Sequence, residues 1–219
     1  MSQIRYTLVS DGSSDRALLP ILTWLLVEHR VLYPIQPAWA DLRRLQNPPK
    51  KLASRIEKSL DLYPCDLLFV HRDAEIRSKK RSYAQRKSEI NKALAVINPA
   101  HTPSVCVVPV RMMEAWLLFN EGALRRAAGN PNGQNPLVLP HPATLEQQSD
   151  PKSLLYSLLK DASGLTGRRL RKFYVSQSAS QVPYYIDDFV QLRTLSAFRS
   201  LEADLKEIVT INQWAAPLL

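Results

Sequence analysis

The sequence predicts an α/β fold, Rossmann-like, with a mainly parallel sheet flanked by helices and a helical elaboration at the C-terminal end. Short apolar, strand-like runs alternate with helical patterns in the order β-α-β-α-β-α-β-α. That is the alternation of a doubly wound sheet with right-handed crossovers. Three of the apolar runs pass directly into carboxylates: Tyr6–Ser10 into Asp11, Leu67–His71 into Asp73 and Glu75, and Val105–Val110 into Glu114. Composition then shifts after Ala128, where Gly129 to Pro151 holds five prolines among Asn and Gln. With 219 residues, 45% of them hydrophobic, the chain is long enough to bury one large core.

The first strand is expected at Arg5–Ser10, followed by a turn at Asp11-Gly12-Ser13-Ser14. Gly12 suits a tight turn, and Ser13 or Ser14 suits a helix cap. A helix follows over Asp15–Arg30, with Leu18, Leu19, Ile21, Leu22, Leu25 and Leu26 as a wide apolar face. Val31–Trp39 reads as a second strand, and Pro34 and Pro37 place it at an edge. Helices are expected at Lys51–Leu62, Ser82–Ile97 and Met112–Asn120, and strands at Asp66–His71 and Ser104–Val110. Residues 1–128 therefore make the α/β core and 129–151 a Pro-rich loop. Residues 152–219 make a helical part packed on the core, with helices at Lys152–Asp161, Gly167–Val175 and Ser196–Val209.

No secretory leader is visible, and the longest apolar stretch, Ala17–Val27, is interrupted by Pro20 and Thr23. It falls short of the roughly 20 residues a membrane helix needs. A cytoplasmic protein without a membrane partner is the expectation. Cys65 and Cys106 lie in or beside apolar runs and read as buried thiols rather than a disulfide or a zinc site. No phosphate-binding Gly-rich loop is present, and the four histidines show no ligand spacing.

In a parallel sheet the carboxyl ends of the strands share one edge, where ligand sites collect. Asp11, Asp73, Glu75 and Glu114 are expected to meet there as catalytic and metal-binding residues. Clustered carboxylates repel one another and call for a cation. Hard oxygen donors favour Mg²⁺ or Mn²⁺. Taken singly, Asp11 fits a turn aspartate, Asp73 and Glu75 fit solvated loop acids, and Glu114 fits a helix-dipole partner. The net charge of +9 suits a polyanion. Arg43, Arg44, Arg77, Lys79 and Lys80 should flank the same edge and contact nucleic acid, DNA or RNA. Arg111 would bind phosphate or pair with Glu114. Metal ringed by cations suits a phosphodiester backbone.

The order Asp11-Gly12, then Asp73-Ala74-Glu75, resembles the Toprim domain of topoisomerases, primases and overcoming-lysogenization-defect type nucleases. Those proteins usually carry Glu-Gly and Asp-x-Asp at the two positions. The chain more closely resembles Toprim-like bacterial proteins of unknown function with a Glu-Ala-Trp-Leu-Leu box, here Glu114-Ala115-Trp116-Leu117-Leu118. The likeness continues through Ala123-Leu124-Arg125-Arg126, Asp150-Pro151-Lys152 and Ser196-Ala197-Phe198-Arg199. It implies a Toprim-like sheet and a metal-dependent nuclease, an effector in defence against phage that acts beside an ATPase; a homo-oligomer is a further expectation. The alternative is a catalytically inactive nucleic-acid-binding or regulatory subunit that partners the ATPase.

Overall fold

Four parallel strands, β1 (Ile4–Val9), β2 (Ile35–Trp39), β3 (Leu67–His71) and β4 (Ser104–Val107), pair in the order β2-β1-β3-β4. They belong to a computed structural model that describes residues 2–74, 82–97 and 102–216. Every residue of β3 is buried, as are all of β1 but Arg5, so the sheet is covered on both faces as parallel sheets are. Successive side chains point to opposite faces. Ile4, Tyr6, Leu8, Leu67, Phe69, Val105 and Val107 face one apolar core; Val9, Leu68, Val70 and Cys106 face the other. The smaller second core is closed by α2 (Leu52–Leu62) and α3 (Tyr83–Ile97) through Ile56, Ile90 and Ala93.

The larger core is closed by α1 (Leu19–Glu28) and by the C-terminal helices. After α4 (Glu121–Ala127) come α5 (Pro151–Ser163), α6 (Gly167–Arg171), α7 (Val175–Gln181) and α8 (Ser196–Ile211). Phe198, Leu201, Leu205 and Val209 recur at helical spacing along α8 and bury that face, and α8 packs against β4. One apolar core thus runs from β1 to the last helix.

The α/β class and the parallel sheet match the sequence expectation, and β2 lies at an edge. There Pro37 removes no bond that a central strand would need. Several elements differ. The second strand begins at Ile35, and Val31 instead bridges antiparallel to Ala215. The helix expected from Asp15 opens as a 3-10 turn over Ser14–Leu18, and Ser13 makes no side-chain cap bond. The helix expected over Met112–Asn120 is a 3-10 turn at Met113–Leu117, and α4 starts only after it. Asn120 accepts a hydrogen bond from the Ala123 amide at 2.9 Å and so caps the following helix. The Pro-rich segment carries a 3-10 turn at Pro142–Gln147, and 182–194 holds two more, Val182–Tyr185 and Val190–Thr194. The helix expected over Gly167–Val175 stops at Arg171.

Two of the sequence boxes have structural explanations. Asp150 caps α5 by accepting from the Ser153 amide at 3.0 Å and its hydroxyl at 2.8 Å, with Pro151 at the first helical position. Glu146 accepts from Ser196 Oγ at 2.9 Å and the Ala197 amide at 3.0 Å, answering the first turn of α8. Asp150→Ala is expected to cost about 0.5–2 kcal/mol. Thermal unfolding should read a fall of about 2–4 °C per kcal/mol.

Cys106 is buried, Cys65 is half-buried, and both are free thiols. Among the described residues no helix is long and apolar enough to cross a membrane.

Candidate functional site

The carboxyl edge of the sheet gathers charge from three segments. β1 delivers Asp11 and Asp15, β3 delivers His71, Arg72 and Asp73, and the segment after β4 delivers Glu114. Val110 forms a parallel bridge to Ala74, which carries the β3–β4 register past the last full strand pair. Arg111 then turns the chain away with a left-handed backbone, φ 74°, and its amide donates to the Ala74 carbonyl at 2.6 Å. A non-glycine residue in that region is strained by about 1–3 kcal/mol, a cost that recurs at functional sites.

Asp73 sits at the centre. Its Oδ1 accepts from the Met113 amide at 3.0 Å and lies 3.5 Å from His71 Nε2. Burial, followed by the like charges of Asp15 and Glu114, pushes its pKa up to about 8 against the Met113 hydrogen bond. Glu114 is 6% exposed; burial raises its pKa, while Lys152 Nζ, 3.8 Å from Oε1, works in the other direction. His71 is 2% exposed and neither ring nitrogen is hydrogen-bonded. Burial lowers its pKa although Asp15 and Asp11 oppose this, so the imidazole is neutral at pH 7.

Asp11 behaves differently. Both of its oxygens are held by guanidiniums, one by Arg55 of α2 and one by Arg72. Burial raises the Asp11 pKa, but Arg72 and Arg55 outweigh it and hold the carboxyl below its ordinary value. Arg72 also donates to Glu89 at 2.9 Å, and Glu89 takes Arg86 at 2.9 Å. A relay of opposite charges therefore runs from α3 to the sheet edge.

The structure brings three of the sequence candidates, Asp11, Asp73 and Glu114, into one electrostatic neighbourhood. Glu114 stands in a buried 3-10 turn rather than one turn into an α-helix, and it pairs with Lys152 rather than Arg111. Arg111 Nε is buried without a hydrogen-bond partner. Arg43 and Arg44 follow β2, and both pair with Asp41, at 2.8 and 3.5 Å; Arg43 also stacks on Trp39 at 4.9 Å. Glu75, Arg77, Lys79 and Lys80 lie outside the described residues.

Sequence reasoning missed Asp15, Arg55 and the role of Lys152. Asp15 is 8% exposed and accepts from the Gly12 amide at 2.8 Å and from Ser14 Oγ at 3.2 Å. Its signal was the four-residue spacing from Asp11 across one turn. Gly12 has no left-handed backbone. The atoms nearest an added Cβ would be Ser14 Oγ at 3.4 Å and the Asp15 carboxylate, an ordinary contact, so the backbone does not require glycine there.

Among the described residues, no three of His, Cys, Asp and Glu are grouped so as to hold a metal ion directly. Mg²⁺ does not need three, because it keeps several waters and takes one or two carboxylates. Asp73 and Glu114 fit that donor set: a half-buried and a buried carboxylate at one sheet edge, with the charge of Glu114 felt at Asp73. No family model, curated protein or solved structure matches the chain, so the site is read from its own residues.

Proposed function

We propose that the protein is a Mg²⁺- or Mn²⁺-dependent phosphodiester hydrolase acting on nucleic acid, with Asp73 at its centre. The observation that carries this is the placement of Asp73 at the carboxyl edge of the sheet, held by the Met113 amide and 3.5 Å from His71, with Asp15 and Glu114 near enough to raise its pKa. A fold that gathers acids at this cost to itself is poised to accept a cation. Asp73 and Glu114 would hold the ion, with Asp15 behind them. Bound there, the metal would lower the pKa of a water and neutralise charge on the phosphate. Asp11 holds Arg55 and Arg72 at the same sheet edge, where the two guanidiniums would supply positive charge to a phosphate. His71, neutral and unbonded beside Asp73, is a proton acceptor within the cluster.

The net charge of +9 supports a polyanionic substrate. Arg168, Arg169, Arg171 and Lys172 are all exposed, and none makes an ion pair among the described residues. Replacing these four with Gln should flatten the salt dependence of binding. The slope of log K against log salt should fall by about 0.7 per cation on single strands. Anisotropy titrations over a salt series measure this directly, and an unchanged slope would remove this surface from the interface. The Toprim resemblance of Asp11-Gly12, Asp73-Ala74-Glu75 and the Glu114–Leu118 box agrees with the same activity, and extends to an ATPase partner.

A second reading has its own observation. Asp11 is bound by two arginines, one on each oxygen, so a metal would have to compete with two guanidiniums for it. This favours a subunit that binds nucleic acid without cutting it. Labelled DNA and RNA incubated with Mg²⁺, Mn²⁺ or EDTA separate the two readings. Metal-dependent cleavage supports the hydrolase; salt-sensitive binding without cleavage supports the binding subunit.

A further inference from the structure

A pocket of about 460 Å³ opens beside the acid cluster, between the turn after β1, the 3-10 turn of Glu114, α5 and α7. Its floor is apolar and buried: Ala17, Met113, Leu117, Leu155 and Ala179. Its rim is polar, with Ser13, Ser14, Lys152, Tyr156, Ser176 and Gln177. Glu114 belongs to both the pocket wall and the acid cluster. Lys152 lies 3.8 Å from Glu114 and 6.0 Å from the centre of the Tyr156 ring. Among the described residues, the side chains of Tyr156, Ser176 and Gln177 make no hydrogen bond, so their polar atoms remain available to a ligand.

An apolar floor with a few convergent polar groups marks a small-ligand pocket, and the volume lies within the range for one. A nucleobase, with apolar faces and a polar edge, has the chemistry that such a lining takes. Tyr156 brings an aromatic ring to the rim, half-buried against the core with Lys152 Nζ 6.0 Å from its centre, and Gln177 brings an amide with both donors and an acceptor for a base edge. A base pair stacked between neighbours does not enter such a space; a base must be unpaired or swung out of its stack to do so. The exposed cations of α6 lie directly before α7, which walls the pocket, and suit the strand that carries the base.

We infer that this pocket seats one unpaired base of the substrate strand next to the reacting phosphate, making the protein selective for single-stranded or unpaired nucleic acid. The inference rests on reading the acid cluster as the cleavage centre, but its test does not need cleavage. The experiment is fluorescence anisotropy in EDTA. It uses a short labelled single strand, as DNA and as RNA, and a hairpin duplex of the same sequence. The proteins are the wild type, Tyr156→Ala and Ala179→Phe, with a thermal melt to verify folding.

Single strands are expected to bind about tenfold or more tightly than the duplex. Tyr156→Ala should weaken single-strand binding by about 5- to 150-fold, as loss of one base stack does, and leave duplex binding unchanged. Ala179→Phe, which fills the floor, should abolish the preference. If Ala179→Phe does not fold, the half-buried rim residue Tyr156 decides alone. Equal binding of single strand and duplex, or a folded Tyr156→Ala that binds as wild type, would overturn the inference. Addition of Mg²⁺ then separates the two ideas. Cleavage without strand preference sinks the pocket and keeps the hydrolase; strand preference without cleavage keeps the pocket and sinks the hydrolase.

Discussion

Asp73→Asn should lose metal-dependent cleavage by about 100- to 1,000-fold or more while making the fold more stable. The two effects have one cause. Asp73 titrates near 3.8 when unfolded but at about 8 in the folded chain. Its protonation therefore stabilises the fold fully below about pH 4, and that contribution disappears as pH rises through about 8. Asparagine is neutral at every pH and still accepts the hydrogen bond from the Met113 amide. Without a divalent cation, the variant should match wild type near pH 4. It should gain on wild type by up to about 1.4 kcal/mol per pH unit and level off above pH 8. Thermal melts in EDTA at pH 5 and pH 8 read the trend, since each kcal/mol moves Tm by about 2–4 °C. Full cleavage by Asp73→Asn, or a variant that gains nothing between the two pH values, would contradict this account of the residue.

Trp116→Ala should destabilise the fold strongly, costing about 3–5 kcal/mol. Trp116 is fully buried at the junction of the sheet and the C-terminal helices, with its ring edge-on to Phe198 at 5.3 Å between centroids. The Glu-Ala-Trp-Leu-Leu box is thus mainly a packing element: its Trp and two Leu residues anchor the turn, and that anchoring presents Glu114 to the acid cluster. The indole N–H of Trp116 is buried without a hydrogen-bond partner. Trp116→Phe removes that unsatisfied donor and keeps a ring against Phe198, so it should lose less than half as much stability. Urea denaturation of the two variants gives the comparison; equal losses would mean that the aromatic contact is not what holds the turn.

The sheet was legible because its central strands are buried on both faces and read as continuous apolar runs. The edge strand was legible through Pro37. Boundaries were less so. Met112–Asn120 has an apolar pattern that fits a helix, yet the segment stays in 3-10 form because the stronger cap, Asn120, lies at its far end. Asp11, Asp73 and Glu114 were recoverable from the rule that strand ends share an edge. Arg55 was not, because its pairing with Asp11 spans 44 positions and depends on how α2 rotates over the second core. Lys152 stood in a recognisable Asp-Pro-Lys box, but nothing local showed that the capped helix start would carry it to Glu114. The pocket was invisible for the same reason: its walls come from four segments between Ser13 and Ser180, brought together only by packing.

The central claim is that Asp73 and Glu114 hold a divalent cation, and a calorimetric titration of the purified protein with Mn²⁺ tests it most directly. Run near pH 7 in two buffers of different ionisation heat, it reports both the binding and the protons released. One saturable site is expected, releasing close to one proton from Asp73, with both signals gone in Asp73→Asn. Absence of saturable binding, or binding that persists unchanged in Asp73→Asn, would contradict a metal centre at the sheet edge.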